Sequence, residues 1–307
     1  MAKTNPAGEE IISVSTEFCG KTLTLEVGLV GFRTSASVIA RYGDTVVLGT
    51  AMISPNTVTG MDYFPLSIDY EEKFYAAGKI SGSRFIKREG RPSDEAILIG
   101  RLIDRPIRPL WPKGYRQEVQ GVATVLSMDP AFRPDSIAMI AMSTAFMLTG
   151  APFEGPIAGV RVGLVDGKPT AFASLEQLEN GQLDLVVAGT ADAIMMVEAG
   201  AQEVSEEVVI EAMEFAHKAI QPAIKIQNEL IKKVGVTKME YELIKPDAQI
   251  QTKVNKWVEG KLGEALRVSY PERHGLQAPA GPCCPLHPRN PARPSRRDPA
   301  LRPRLQV

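Results

Sequence analysis

The sequence predicts an α+β domain over about residues 1–235, and three observations carry that reading. Strand-like segments come in pairs around Gly-containing turns, capped helical segments lie among them, and strands and helices alternate without a strict repeat.

The elements follow in order. Residues 10–16 and 22–29 flank Cys19-Gly20 and read as a hairpin; residues 35–42 and 45–53 flank Gly43-Asp44 and read as a second. Residues 64–70 alternate as a further strand. Residues 76–92 are rich in Gly and charge, lack periodicity and read as a loop. Ser93 supplies an N-cap, with Asp94 and Glu95 in the first turn of a helix. That helix is expected to end near Asp104 or Arg105, because the residue before Pro106 is pushed out of the α region. Its Ile97, Leu98 and Leu102 side is expected to pack inward. Residues 118–127 are Val-rich and strand-like. Arg133-Pro134-Asp135 opens a helix reaching Gly150 whose residues are small or apolar all round, so burial on most sides is expected. Residues 157–165 and 169–173 form a hairpin about Asp166-Gly167-Lys168, and residues 183–188 and 193–199 give two more strands. Ser205 caps a long helix ending at Lys232-Lys233 before Gly235, with a kink expected at Pro222. Residues 241–268 read as helical, with a different character.

The domain division read from this pattern is 1–235 for the α+β core, 236–270 for the start of an all-α domain and 271–307 for a tail. The tail has nine Pro and seven Arg and almost no apolar periodicity, so it is expected to be disordered. The change falls inside a helical pattern, which favours loss of the reading frame near residues 269–271; a natural basic arm that binds RNA or DNA is the competing reading.

Composition narrows the function. Hydrophobic content of 44% and charged content of 23% are those of a soluble globular protein. No run reaches the apolar length of a membrane span, and the N-terminus lacks the layout of a signal or transit peptide, so a cytoplasmic protein without a membrane partner is expected. Cys19 stands alone and Cys283-Cys284 are adjacent, without zinc-knuckle spacing. Three His leave little material for a His-based nucleophile relay or metal site.

Charge is concentrated where the loop meets the first helix. Residues 73–116 hold eleven cations and four acids, a local +7 in a chain of net charge -1. Clustered Arg and Lys beside a Gly-rich loop is the footprint of a phosphate-bearing ligand, nucleic acid above all. In the stretch from Phe85 to Ser93, Phe85 offers a stacking surface, and Lys87, Arg88 and Arg91 can reach successive phosphates. An exposed charged loop with one anchoring Phe is the plain alternative. Arg101 and Arg105 are four apart and share a helix face. Asp104 can pair with a neighbouring Arg or with Arg108, so a structural Arg–Asp network competes with ligand contact. Asp62, Asp69, Glu71 and Glu72 are read as solvated acids rather than a metal site, and His217 as a surface or packing residue. Ser81-Gly82-Ser83 lacks the Lys and spacing of a P-loop.

At FIKREGRPSDEAILIGRLIDRPIRPLWPKGYRQEVQ (residues 85–120) the chain closely resembles the bacterial polynucleotide phosphorylase (polyribonucleotide nucleotidyltransferase) family. GDTVVLGTAMIS (43–54), FPLSIDYEEKFYAAGKISGSRF (64–85), GPIAGVRVGLVDG (155–167) and LDLVVAGTADAIMMVEAGAQEVSE (183–206) carry the same resemblance, which covers about residues 10–270.

The resemblance implies a ribonuclease PH-type core (ribosomal protein S5 domain 2-like), followed by the start of an all-α linker. It implies phosphate-dependent degradation of RNA from the 3′ end, with release of nucleoside diphosphates in mRNA turnover. The family's full chains carry two such cores, then KH and S1 domains. They form a homotrimer around a channel for single-stranded RNA, use Mg²⁺ and inorganic phosphate, and can join an RNA-decay assembly. The chain is expected to be a truncated first core. In the family the phosphate-binding and catalytic residues lie in the second core, so no catalytic or metal residue is assigned and no cofactor is expected on this chain alone. The family's RNA-gripping loop has two Phe followed by two Arg; here the positions hold Phe85, Ile86, Lys87 and Arg88. Ile86 does not stack as an aromatic would, and Lys87 is a point charge in place of a planar fork. The residues expected to hold RNA are therefore Phe85, Lys87, Arg88, Arg91, Arg101 and Arg105. The alternatives are a non-catalytic RNA-binding and trimer-forming module, or a structural protein whose basic loop pairs with its own acids.

Overall fold

Two tight turns start the first sheet. Cys19 and Gly20 both take positive φ, 45° and 85°, which joins β1 (Ile12–Phe18) to β2 (Lys21–Val27) in a two-residue hairpin with Phe18 opposite Lys21. Gly43, at φ 57°, does the same between β3 (Ala36–Tyr42) and β4 (Thr45–Thr57). The computed structural model describes residues 10–58, 60–80, 91–245 and 247–262. The chain divides into two compact units, Met1–Lys245 and Pro246–Val307.

In the first unit, β5 (Leu66–Glu72) does not pair with its neighbour in sequence. It runs parallel to β6 (Gln117–Ser127), from Leu66 opposite Val119 to Glu72 opposite Val125. A parallel pair needs a crossover, which α1 (Asp94–Ile107) supplies from the face of β5. The six-stranded sheet has the order β1-β2-β3-β4-β6-β5. Next, α2 (Asp135–Leu148) packs on β3, β4 and β6 and, through its other side, on β7 (Ala158–Val165). Every residue from Asp135 to Phe146 is buried. Each large apolar side chain there, such as Ile137, Ile140 or Phe146, contributes roughly 1.5–3 kcal/mol. The buried hydroxyls stay bonded: Ser143 Oγ accepts from the Ile157 N–H at 2.9 Å, and Thr144 Oγ1 donates to the Ile140 carbonyl at 2.7 Å.

The second sheet adds β8 (Lys168–Ala171), then, beyond the short α3 (Leu175–Glu179), β9 (Leu183–Gly189) and β10 (Ile194–Ala201), in the order β10-β9-β7-β8. It is covered by α4 (Glu206–Ala219), while α5 (Gln221–Val234) lies on β1 and β2. Residues 236–245 stay with this unit, where the Met239 N–H donates to the Gly150 carbonyl and the Ile244 N–H to that of Gly114. In the second unit, α6 (Ala248–Val258) is capped by Asp247, whose carboxylate accepts from the N–H groups of Gln249 and Ile250.

Four expectations need correction. The first helix passes through Pro106 and ends at Ile107, continuing as a 3-10 turn over Arg108–Leu110. Burial of Pro106, Ile107 and Leu110 outweighs the one backbone bond that Pro106 removes. Pro222 does not kink one long helix: it lies in the first turn of α5, where its missing N–H is no loss, and Ile220 separates α4 from α5. The sequence pattern assigns no element to residues 175–179, yet α3 forms there because Ser174 and Gln177 close a reciprocal capping box on it. Of residues 241–268, those at 241–245 have no helical structure; Ala248–Val258 and, after Glu259-Gly260, residues 261–262 are helical, and 263–268 lie outside the described residues. The expected tail, 271–307, lies outside the described residues.

Candidate nucleic-acid interface

α1 carries the described part of the basic stretch. Its start is set by Ser93, whose Oγ accepts from the Ala96 N–H at 3.1 Å, with Asp94 and Glu95 favourable in the first turn. Its buried face is Ala96, Ile99, Gly100, Leu102, Ile103, Pro106 and Ile107. Gly100 lets the helix approach β5 closely: a Cβ there would meet the Ile68 carbonyl oxygen at 3.0 Å. Leu102 packs inward as expected, but Ile97 and Leu98 are 41% and 65% exposed. The stripe through Ile99 and Ile103 faces β5, and at 100° per residue it carries positions 97 and 98 outward.

The cations of this stretch have separate fates. Arg108 grips both carboxylate oxygens of Asp104 at 2.9 Å and also donates to the carbonyls of Phe64 at 3.2 Å and Leu66 at 2.9 Å. It is committed to holding the end of α1 on β5. Arg116 is likewise taken up by the carbonyls of Tyr115, Met61 and Asp62. Lys73 pairs with Glu71 at 2.8 Å. Arg105 reaches Glu198 on β10 at 2.8 Å, with the two side chains 55% and 56% exposed. Arg101 is exposed, and its side chain makes no ion pair or hydrogen bond among the described residues. Arg101 and Arg105 line one shallow depression on the outer face of α1, together with the Asp104–Arg108 pair and Pro109. At the other end of the helix a cleft of about 330 Å³ has Lys79 and Arg91 on its wall. Phe85, Lys87 and Arg88 lie outside the described residues.

Sequence reasoning missed Glu198, because the strand that carries it lies 93 residues from Arg105 and no local pattern links the two. It also missed a triad built on the buried Asp135, in which the part-buried Arg161 bonds to Asp135 and to the more exposed Asp184. Burial alone would lower the Arg161 pKa; the adjacent Asp135 and then Asp184 charges hold it above its ordinary value. The same principle acts on Tyr70, whose phenol is pushed up by burial and then by Glu72, to which it donates at 2.7 Å.

The acids near β5 do not form a donor set for a metal. Glu71 is held by Lys73, Glu72 accepts from Tyr70, and no cluster of three or more His, Cys, Asp or Glu suited to a metal occurs among the described residues. His217 is half-buried with Nε2 3.1 Å from the Thr190 carbonyl oxygen. Among the described residues no helix is long and apolar enough to cross a membrane.

Family models match the chain twice over. Domain 1 of the 3′ exoribonuclease family covers residues 20–152, and domain 2 of that family covers residues 155–219. The chain belongs to the 3′ exoribonuclease family. Polyribonucleotide nucleotidyltransferases from Heliobacterium modesticaldum, Listeria monocytogenes and Geobacillus kaustophilus are 52%, 49% and 48% identical to it. These alignments cover 82%, 82% and 83% of the chain and 36%, 35% and 35% of the relatives. The chain thus spans about a third of the length of the curated relatives it matches. The crystal structure of rice (Oryza sativa) Rrp46 superposes with a TM-score of 0.50 at 12% identity, over 74% of this chain and 94% of that one, a likeness of fold. In this exoribonuclease family member the two sheets and α2 build the expected ribonuclease PH-type α+β core.

Proposed function

We propose that this chain is the RNA-holding core of a polyribonucleotide nucleotidyltransferase. Such an enzyme shortens single-stranded RNA from its 3′ end by attack of inorganic phosphate and releases nucleoside diphosphates in mRNA turnover. The names of the relatives support the reaction class. Within the chain, the observation that carries the reading is the outer face of α1: Arg101 has no side-chain partner among the described residues, and Arg105 has only an exposed one. Arg91, together with Phe85, Lys87 and Arg88, completes the proposed RNA contact. Mg²⁺, a homotrimeric ring, membership of an RNA-decay assembly and a cytoplasmic location belong to the same proposal, as does the division at residues 235 and 270 into core, all-α linker and tail.

The test is binding of a fluorescently labelled oligoadenylate to the full chain over a salt series. Affinity should fall steeply with salt, and replacing Arg101 and Arg105 with Ala should flatten the log–log slope by about 0.7 for each phosphate the protein no longer neutralises. A salt-independent affinity, or one unchanged in that double variant, would support the structural reading of the basic stretch. Adding phosphate and Mg²⁺ separates two roles. Diphosphate release assigns the chemistry to the chain itself; binding without release assigns it the RNA-holding role alone.

A further inference from the structure

We infer that Glu198 sets the strength of the RNA grip, by occupying Arg105 in the free protein and competing with phosphate for it. The inference rests on the RNA-binding reading of α1 and adds to it a residue from the other sheet. Three observations carry it. First, the Arg105–Glu198 contact is a single 2.8 Å bond between side chains that are both more than half exposed. Such pairs add little to stability, so solvent and other anions exchange into them readily. Second, α1 needs no tether at this point. Its buried face already fixes it on β5, and Arg108 shows what a structural Arg looks like here, with four bonds to Asp104, Phe64 and Leu66. Third, Arg101 stands one helical turn away, about 6 Å along the axis, without a carboxylate of its own among the described residues.

The consequence is a graded site. A carboxylate and a phosphate both present oxygens to the same guanidinium, and the carboxylate on Nη1 repels a phosphate brought to the remaining N–H groups, so the two anions compete for Arg105. Glu198 cancels the Arg105 charge and repels an incoming anion. A small free anion meets that barrier alone. A polynucleotide already anchored on Arg101 presents its next phosphate at high effective concentration and displaces the carboxylate. Glu198 therefore favours a connected strand over a mononucleotide or free phosphate, and it limits how tightly each strand is held.

The test compares the full chain with Arg101→Ala, Arg105→Ala, Glu198→Gln and the Arg105→Ala, Glu198→Gln double variant, measuring oligoadenylate affinity at low salt and thermal unfolding of each protein. Arg105→Ala should weaken binding, and Glu198→Gln should tighten it, each about two- to fivefold. Glu198→Gln should gain less affinity in the Arg105→Ala background than in the wild type, so the double variant stays weaker than wild type; an equal gain in both backgrounds would mean that Glu198 acts by general repulsion and would overturn the competition for Arg105. Glu198→Gln should unfold at the wild-type temperature. If Glu198→Gln leaves affinity unchanged or lowers it, or lowers the unfolding temperature markedly, the competition is overturned and the pair is a tether. If Arg101→Ala and Arg105→Ala weaken binding while Glu198→Gln does not tighten it, this inference alone falls. If neither Arg variant weakens binding, the RNA reading of α1 falls with it.

Discussion

Arg161 closes Nε and Nη2 onto one oxygen of Asp135, Oδ2, at 3.2 and 2.5 Å, and turns Nη1 to both oxygens of Asp184 at 2.6 Å. The Asp135 side chain is 1% exposed and that of Arg161 13%. The second Asp135 oxygen accepts from the Ser136 N–H at 2.6 Å. One guanidinium thus pins the first residue of α2 to β7 and β9. Arg161→Met leaves a buried carboxylate without its counter-charge, and is expected to cost about 3–5 kcal/mol in urea unfolding. Replacing Arg161 and Asp135 together with apolar residues should recover part of that stability. A cost near zero for Arg161→Met would show that water reaches Asp135.

Gly49 gives the second expectation. It lies on β4, where an added Cβ would sit 2.9 Å from the carbonyl carbon and oxygen of Ala141. Those are backbone atoms of a helix buried on all sides, so they do not yield as a flexible side chain would. Gly49→Ala is expected to cost about 1–3 kcal/mol. Gly200→Ala is the control: its Cβ meets nothing within 4 Å, and the change should lie within about 0.5 kcal/mol. Equal denaturation midpoints for the two variants would mean that α2 and β4 can move apart.

Much of the fold was legible because its signals are local. The Cys19-Gly20, Gly43-Asp44 and Asp166-Gly167 pairs mark turns that need positive φ at Gly20, Gly43 and Gly167, and Ser93 caps α1 as its chemistry suggests. The apolar run after Asp135 reads as buried and is. What failed depended on tertiary contacts. Pro106 argues against helix until the buried pocket that receives Ile107 and Leu110 is known. The parallel pairing of β5 with β6, across residues 73–116, has no signal in either strand alone. The candidate site divides in the same way. The basic stretch was plain, but whether a given Arg is free or committed depends on carbonyls at positions 64 and 66 and a carboxylate at 198. Spacing placed Asp104 within reach of Arg108; it gave Arg105 no reason to meet Glu198.

Asp129 should make stability depend on pH on the acid side. Its carboxylate accepts from the Ala131 N–H at 3.0 Å and from Lys21 Nζ at 3.0 Å. The backbone bond first, and Lys21 second, hold its pKa below the usual carboxylate range. A carboxyl lowered on folding stabilises the protein above its unfolded pKa of about 3.9, and that contribution disappears as pH falls through the folded value. Asp129→Asn should therefore be less stable than wild type at neutral pH, with the gap closing as pH falls below about 4. Urea midpoints at several pH values measure the gap; a constant gap would mean that the two bonds do not favour the charged form.

Arg101 and Arg108, both on or just beyond α1, should fail in opposite ways when truncated. Arg108→Ala releases four hydrogen bonds and leaves Asp104 and two carbonyls to find water, so it should destabilise the fold by about 1–3 kcal/mol. Four of the five Arg108 N–H groups are already taken and its charge is paired with Asp104, so oligoadenylate affinity, measured where the variant is folded, should change less than about twofold. Arg101→Ala removes an exposed side chain with no partner among the described residues, so stability should stay within about 0.5 kcal/mol. Its affinity should drop, with a log–log salt slope shallower by about 0.7. The two effects are independent, so measuring both on each variant separates charge that builds the protein from charge that faces a ligand. An Arg108→Ala protein that is fully folded yet binds RNA as weakly as Arg101→Ala would show that the ladder to Asp104 opens for phosphate, and that the partition along α1 is wrong.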